Sequence, residues 1–300
     1  MPAAHFKIDE NLKELTTHRT VELPVACYQT TISDHINGYI PLHWHDELQF
    51  VLVIKGNASF QINEKTVTVK QGYGLFINSG CLHMAAEDIN KSGCVYICLN
   101  VSPHFLVPQE LFTNYVYPYI HATNLSHLFI SPKQAWGNNV LESIHKIHTW
   151  IHKQPHHYEI EIASELSILW KNLILNGLQL KYNEKEMIKN QRMKQMLNWI
   201  HLHFAEKITL DDIAKAGQLS RSECCRYFKK MLKKSPLTYV LNYRIQQSLV
   251  MLQQAEANVT DVAYQVGFNS TSYFINQFRK EMKMTPLMYR KKKLHISSHH

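Results

Sequence analysis

The sequence predicts an α+β chain in two parts: an N-terminal β-barrel carrying a helical hairpin, then an all-α C-terminal domain with two helix-turn-helix motifs. Three observations carry that prediction. Between Val25 and Val101, short β-branched and aromatic runs alternate with polar or glycine turns, the spacing of a small sandwich or barrel. From Asn138 onward the apolar residues recur with the period of helices instead. The last part of the chain repeats itself at an offset of 50 residues and holds all of the basic excess.

The charge divides sharply. Residues 1–183 contain 12 Lys+Arg and 15 Asp+Glu, a balance of −3, whereas residues 184–300 contain 20 and 9, a balance of +11. The two recover the formal +8 of the whole chain. A basic block attached to a near-neutral one reads as a nucleic-acid or membrane-binding module fused to something else. A merely solvated lysine-rich surface is the bland alternative. No apolar run approaches the ~18–20 residues needed to span a bilayer. Residues 1–20 lack the apolar core of a signal peptide, so a cytoplasmic location with six reduced cysteines is expected. Neither Cys94-x3-Cys98 nor Cys224-Cys225 has the paired spacing of a structural zinc site.

Taken in order, the predicted strands are 47–55, 58–63, 66–70, 74–78 and 94–101, within a barrel of about 20–105. Val140, Leu141, Ile144, Ile147 and Ile151 then form one stripe of a helix that Pro155 ends. A second helix over 158–181 places Ile162, Leu166, Leu169, Trp170, Leu173 and Ile174 on one face. Together they make a hairpin of about 138–181, closing a first domain of 1–182. The polar run that follows has little to bury and reads as a linker, 183–191, before a C-terminal domain of 192–293.

Residues 220–239 and 270–289 agree at eight of twenty positions: Ser220/Ser270, Ser222/Ser272, Phe228/Phe278, Lys230/Lys280, Lys233/Lys283, Pro236/Pro286, Leu237/Leu287 and Tyr239/Tyr289. Upstream, Asp212-Ile213-Ala214 matches Asp261-Val262-Ala263 at an offset of 49. In the first copy, Thr209 with Asp212 opens a short helix that closes near Gly217, and Ser220 with Glu223 caps a longer one. In the second, Asn258 and Asp261 open the short helix, Gly267-Phe268 close it and Ser270 begins the longer one. Ser235-Pro236 and Thr285-Pro286 each start a further helix, with proline in the first turn. Short helix, tight turn and second helix is the helix-turn-helix pattern. The second helix of such a unit fits the major groove with its N-terminal half at base edges. Basic residues at its far end meet phosphates: Lys229, Lys230, Lys233 and Lys234 in one copy, Arg279, Lys280 and Lys283 in the other. Two units on one chain match successive major grooves, about 34 Å apart. A helical protein-interaction array would need no such lysines behind each second helix.

Residues 206–292 resemble the DNA-binding domain of AraC/XylS-type transcription regulators. The resemblance is densest through Asp261-Val262-Ala263, Gly267-Phe268, Ser272-Tyr273-Phe274, Phe278-Arg279-Lys280, Thr285-Pro286 and Tyr289-Arg290. Tyr243-Arg244 and the apolar helix to Leu252 resemble the helix that joins the two units. Lys233 and Lys283 depart from the family at helix ends where glycine is usual, and Gln218 departs at a turn glycine. At Asn276 the family often has arginine. By helix phase and this resemblance, Ser222, Cys225 and Arg226 face bases in the first unit, and Thr271, Ser272 and Asn276 in the second. Arg226 suits a guanine edge and Asn276 an adenine. Phosphate contacts are assigned to Ser220, Arg221, Lys229, Lys230, Ser270, Arg279 and Lys280. Cys224 aligns with Phe274 and is read as core, in preference to a redox switch with Cys225.

In the barrel, His43-Trp44-His45 is followed by Gly72-x5-Asn78-x-Gly80-x2-His83, which resembles the two cupin motifs. Gln49 stands where a metal-binding cupin has glutamate, and Asn78 replaces the usual proline. Three imidazoles without the carboxylate still suit a divalent metal. The family resemblance instead implies an organic effector, and the expectation is a pocket lined by His43, His45, Gln49 and His83, with no cofactor, metal or catalytic residue. Glu47 is read as a strand residue, a carboxylate ligand only if the register differs. His145, His148 and His152 share a helix face and are read as solvated rather than as a metal or pH-sensing cluster.

The resulting expectation is a transcription regulator, not an enzyme, that binds promoter or operator DNA under control of a small-molecule effector. A sugar or another small polar metabolite suits the pocket. A homodimer through the hairpin is expected, RNA polymerase is the partner of an activator, and no membrane is involved. Two rival readings use the same residues: a metal-dependent cupin enzyme with a DNA-targeting domain, and a DNA-binding protein indifferent to any effector.

Overall fold

The computed structural model of the chain describes residues 12–14, 23–35, 38–87, 93–176, 178–252 and 258–297. They divide into two compact units, Met1–Met187 and Ile188–His300.

Among the described residues the N-terminal unit is built on nine antiparallel strands: β1 (Val25–Thr31), β2 (Tyr39–His43), β3 (Leu48–Lys55), β4 (Asn57–Ile62), β5 (Lys65–Lys70), β6 (Gly74–Ile77), β7 (His83–Glu87), β8 (Val95–Val101) and β9 (His127–Ile130). One sheet has the order β1-β8-β3-β6-β9, the other β2-β7-β4-β5. Side chains alternate across a strand, so the central strands of the five-stranded sheet serve two interiors. Leu48 and Phe50 of β3, Phe76 of β6 and Leu99 of β8 share one face, and the register sets Phe50 opposite both Phe76 and Leu99. Val51, Val53, Leu75, Ile77 and Tyr96 share the other face, where they pack on Ile40, Phe60, Ile62, Val69 and Ala85 of the four-stranded sheet.

The first of those faces is covered by helices α1 (Gln109–Tyr115), α2 (Tyr117–His121), α3 (Ala135–Lys153) and α4 (Tyr158–Ile174). Val140, Leu141, Ile144 and Ile147 of α3 and Ile162, Leu166, Leu169, Trp170 and Leu173 of α4 join the sheet in one core. Gly74 allows the close approach: a Cβ there would lie 2.6 Å from Leu141 Cδ2 and 2.5 Å from the Val51 carbonyl. Trp170 is buried, and its Nε1 donates to the Tyr115 carbonyl at 2.8 Å. Glu165 of α4, also buried, accepts from Ser143 Oγ of α3 at 2.7 Å and lies 3.3 Å from the Lys146 ammonium. These bonds compensate a carboxylate that burial would otherwise penalise.

Three readings of the sequence change here. The second hairpin helix stops at Ile174 rather than continuing to 181. Asn124 takes over the backbone beyond it, donating to the Gln179 carbonyl and accepting from Lys181 N–H, both at 2.8 Å. β9 lies outside the expected barrel span and is added by pairing with β6. Glu47 precedes β3 in a bend instead of opening the strand.

In the C-terminal unit the helices are α5 (Glu184–His203, begun just before the unit's first residue), α6 (Leu210–Ala216), α7 (Arg221–Leu232), α8 (Pro236–Met251), α9 (Val259–Gln265), α10 (Thr271–Met282) and α11 (Pro286–Ser297). α5 runs through the segment that reads as a linker in the sequence. The capping signals hold: Thr209/Asp212 and Ser220/Glu223 form reciprocal capping boxes, and Ser235, Asn258 and Ser270 each accept a backbone N–H. The turns of the two units differ by one residue. Leu219 and Phe268 each donate a backbone N–H to an alanine carbonyl, Ala214 and Ala263, and Asn269 is the extra residue before Ser270.

At the left-handed position of these turns Gly267 has φ +86°, and its counterpart Gln218 has φ +53°. A Cβ on Gly267 would sit 2.7 Å from the Ala205 carbonyl oxygen and 2.8 Å from that of Phe204. Gln218 is exposed and meets no such wall. Lys233 and Lys283, at φ +57° and +58°, end α7 and α10 where a glycine would be unstrained. Each turns its ammonium back onto a carbonyl of its own helix, Lys230 and Lys280 respectively, at 3.0 Å.

Trp170→Ala is expected to lower unfolding stability by about 3–5 kcal/mol in urea titrations of the full chain, read at the N-terminal transition. Gly267→Ala should cost more than about 1 kcal/mol at the C-terminal transition, because strain and overlap coincide. Gln218→Gly should move the same transition the other way, by at most about 1 kcal/mol.

Candidate functional site

Two places concentrate polar function: one face of the repeated helices and the interior of the barrel. On α7 the buried residues are Cys224, Phe228, Met231 and Leu232; on α10 they are Phe274 and Phe278. The same phase leaves Ser222, Arg226 and Lys229 exposed on α7, and Ser272, Asn276 and Arg279 on α10. Each helix therefore carries a polar stripe at i, i+4 and i+7 with an aromatic anchor behind it. Lys230 and Lys280 flank these stripes and are also exposed. Cys225 and Thr271, read from the sequence as base-facing, are half-buried at the edge of their stripes.

Several charged groups already have partners. Arg221 makes a two-pronged ion pair with Asp211, which holds that carboxyl below the usual range. The guanidinium joins the N-terminus of α7 to α6 and stays exposed. Ser220 donates to Glu223 at 2.7 Å and accepts its N–H, so this hydroxyl is committed to the cap. Ser270 likewise accepts the Tyr273 N–H. Arg226 lies 3.9 Å from Glu223, and the second unit has Tyr273 where that carboxylate stands. Burial pushes the Cys224 thiol up to about 12, which suits a packing role and leaves little thiolate for redox chemistry.

Arg244 of α8 anchors the second unit. Its Nε donates to the Phe204 carbonyl at 2.7 Å, its Nη2 to the Glu206 carbonyl at 2.6 Å, and the guanidinium lies over the Phe268 ring. Its neighbour Tyr243 stacks on the buried His201 at 3.8 Å between centroids, while His201 Nε2 and Tyr239 hydroxyl are 2.8 Å apart. The Tyr243-Arg244 pair thus ties the end of α5 to the joining helix.

Inside the barrel a small cavity is lined by Glu14, Tyr28, Thr30, His35, Ile40, His43, Gln49, Phe60, His83, Ala85, Tyr96, Cys98 and Asn100. Of the four residues expected there, His43, Gln49 and His83 line it. His45 instead packs edge-on to His83, with centroids 5.0 Å apart. Gln49 Nε2 donates to Cys98 Sγ at 2.8 Å, and that thiol donates onward to Asn100 Oδ1. Gln49 Oε1 and His83 Nε2 are sealed from solvent and have no hydrogen-bond partner among the described residues. Burial, reinforced by the like charge of His45, pushes His83 down to about 3, so it is a neutral acceptor near pH 7. The cavity therefore presents acceptors and asks its occupant for donors or positive charge.

Asn78 does not line the cavity. Its amide donates to the Tyr119 and Leu125 carbonyls, both at 2.8 Å, clamping the chain before β9 onto the barrel. Glu14, Tyr28, Thr30, His35, Tyr96 and Asn100 escaped the sequence reading. Only the alternation along β1 and β8 carried a signal for Tyr28, Thr30, Tyr96 and Asn100, and nothing in the sequence ties Glu14 to the barrel. His145, His148 and His152 form no ligand group: among the described residues only His43, His45 and His83 bring three such atoms together.

Comparison with known proteins covers both regions of the chain. The model of an AraC-like ligand binding domain matches residues 27–111, and that of a helix-turn-helix domain matches 213–292. The HTH-type transcriptional regulator YdeC of Bacillus subtilis (strain 168) is 64% identical over 287 residues, covering 96% of this chain and 98% of its own. The HTH-type transcriptional activator RhaS of Escherichia coli (strain K12 / DH10B) is 26% identical over 257 residues, 82% of this chain and 86% of its own. Among solved structures, ToxT from Vibrio cholerae O395 aligns over 90% of this chain and 98% of its own with a TM-score of 0.45 and 12% identity. No helix among the described residues is long and apolar enough to cross a membrane. With a relative this similar along nearly its whole length, the chain belongs to the AraC family of HTH-type transcriptional regulators, with an AraC-like ligand-binding domain ahead of its DNA-binding helix-turn-helix domain.

Proposed function

We propose that α7 and α10 are the two recognition helices, reading bases through Ser222 and Arg226 in the first unit and Ser272 and Asn276 in the second. The single observation that carries this is the shared phase of the two helices. The same register buries Phe228 and Phe278 and exposes a small polar residue, a longer hydrogen-bonding residue and a basic end. Cys225 and Thr271 lie at the stripe edges and supply van der Waals contact to base edges. Lys229, Lys230, Arg279 and Lys280 take phosphates, which fixes register without reading sequence. Arg221 contributes to a phosphate contact while retaining Asp211 as its partner.

The cavity holds the effector. Acceptor atoms at Gln49 Oε1 and His83 Nε2 favour a small polar metabolite rich in hydroxyl or amine donors, such as a sugar. His45 supports His83 from behind rather than touching the ligand. Binding shifts DNA affinity or assembly, and so promoter output; RNA polymerase is the partner where that output is activation. The chain acts as a homodimer through α4, whose outward side keeps Ile160 and Ile168 exposed, as is Leu175 just past its end, after the inward side is spent on the barrel.

Arg226→Ala should relax preference at one base position, by about 1–3 kcal/mol of discrimination in binding to a set of singly substituted operators. Lys229→Ala should weaken all sequences alike and lower the salt slope of binding by about one. An Arg226→Ala variant that lost affinity evenly across all sequences would overturn its base-reading role. For the effector, a thermal-shift screen of the full chain with sugars and amino sugars should give a hit that Gln49→Leu abolishes. Ile168→Asp should convert the dimer to monomer in sedimentation experiments while the chain keeps its native far-UV circular dichroism.

A further inference from the structure

His43, His45 and His83 are all buried, and one ring nitrogen of each lies within 4.8 Å of those of the others. The Nδ1 atoms are accounted for by the backbone: His43 Nδ1 lies 2.8 Å from the Pro41 carbonyl, His45 Nδ1 3.0 Å from that of Glu47, and His83 Nδ1 2.8 Å from that of Cys81. A carbonyl only accepts, so each Nδ1 carries the proton and donates. Each neutral ring then keeps its lone pair on Nε2. Three rings fixed in one tautomer by backbone carbonyls is the outer-shell arrangement that orients histidines toward a metal. His83 Nε2 has no donor among the described residues.

Two carboxylates approach this cluster. Glu47 reaches His45 at its Nδ1, 3.9 Å away, which is the side already bonded to a carbonyl. Glu14 reaches His43 at its Nε2, also 3.9 Å away, with its side chain only 5% exposed. Its position is set by backbone pairing: Glu14 N–H donates to the Trp44 carbonyl and Trp44 N–H to the Leu12 carbonyl, both at 2.9 Å. Trp44 separates His43 from His45 in the chain, so this pairing holds Glu14 against the cluster. Lys13 secures the same segment through Asp46 and the Trp44 ring.

We propose that His43, His45 and His83 bind one divalent transition-metal ion, and that Glu14, from the segment ahead of the barrel, supplies the carboxylate that residue 49 does not. Imidazole with a single carboxylate suits borderline ions such as Zn2+ or Fe2+. Metal–nitrogen bonds of about 2.0–2.1 Å require the ring nitrogens to draw closer than they stand here, a movement within reach of side-chain rotation. His83 Nε2 then serves the ion and not the effector, and Gln49 Oε1 is left as the cavity's acceptor for the organic ligand. Because Glu14 is an N-terminal residue, the ion would also fasten that segment across the cavity that Glu14 lines. The proposal goes beyond the effector reading and is tested without DNA or effector, so the two fail separately.

The full chain, stripped with EDTA and dialysed, would be titrated with Co2+ and Zn2+, following Co2+ visible absorption and bound metal by mass spectrometry. One ion per chain at micromolar affinity is expected, with ligand-field bands of low-symmetry Co2+. His43→Ala and His83→Ala should abolish it. Glu14→Gln should weaken Co2+ binding by about tenfold or more and shift its bands. The triple change His145→Ala, His148→Ala, His152→Ala should alter neither. Binding only at millimolar metal, or stoichiometric binding that survives His43→Ala and His83→Ala, would overturn the site. Should those variants not fold, Glu14→Gln decides on its own: an unchanged affinity and spectrum would remove Glu14 from the ligand set and overturn the proposal.

Discussion

The five-stranded sheet is buried on both faces, and most of the N-terminal unit follows from that. Each of its central strands must present one set of side chains to the helical hairpin and the alternate set to the barrel interior. On β3 this sets Phe50 toward Trp170 and α4, and Gln49 and Val51 toward the cavity. A slip of one residue would exchange the two sets, delivering Gln49 to an apolar helix face and Phe50 to the ligand. The packing that holds the hairpin is therefore the same constraint that aims the cavity's polar groups. β8 repeats the logic, with Leu99 in the hairpin core and Cys98 and Asn100 inside the barrel.

The C-terminal unit solves a different problem twice, and its two copies use different means. Each helix-turn-helix needs a left-handed residue between its helices. In the second copy that residue is Gly267, pressed against the Phe204 and Ala205 carbonyls, where no side chain fits. In the first copy the position is open to solvent, and Gln218 bears the conformational cost instead. The ends of α7 and α10 also take left-handed lysines, each offset in part by an ammonium on the helix's last carbonyls. What the two copies share is the phase that buries an aromatic and exposes the face opposite it. Around the first unit that face is framed by Arg221–Asp211 and Arg226–Glu223 contacts; α10 lacks the second, having Tyr273 at the matching position.

Much of this was legible beforehand because it is local. Capping pairs such as Ser220/Glu223 act within one turn, helical phase is set by spacing, and the repeat is visible as identity. The hairpin stripes and most strands were readable for the same reason. What was missed depends on contacts far apart in sequence. The second hairpin helix ends early because Asn124, some 50 residues upstream, captures the backbone of Gln179 and Lys181. β9 exists because β6 pairs with it. Gln49 pointed to a site without a carboxylate, since no spacing rule links Glu14 to His43. Their proximity arises from the pairing of Leu12 and Glu14 with Trp44.

The sequence by itself determined the two-part organisation, the duplicated DNA-binding helices and the residues of their exposed stripes, because periodicity, capping and charge act over a few residues. Tertiary structure decided which atoms those residues still have to offer. It committed Arg221 to Asp211, turned Lys233 and Lys283 onto helix ends, and moved His45 out of the cavity lining. It also set three imidazoles in one tautomer around a common point with Glu14 at its edge. The barrel cluster in particular brings together residues about 30 and 40 apart in the chain, Glu14 with His43 and His43 with His83, and that proximity exists only once the backbone has been folded.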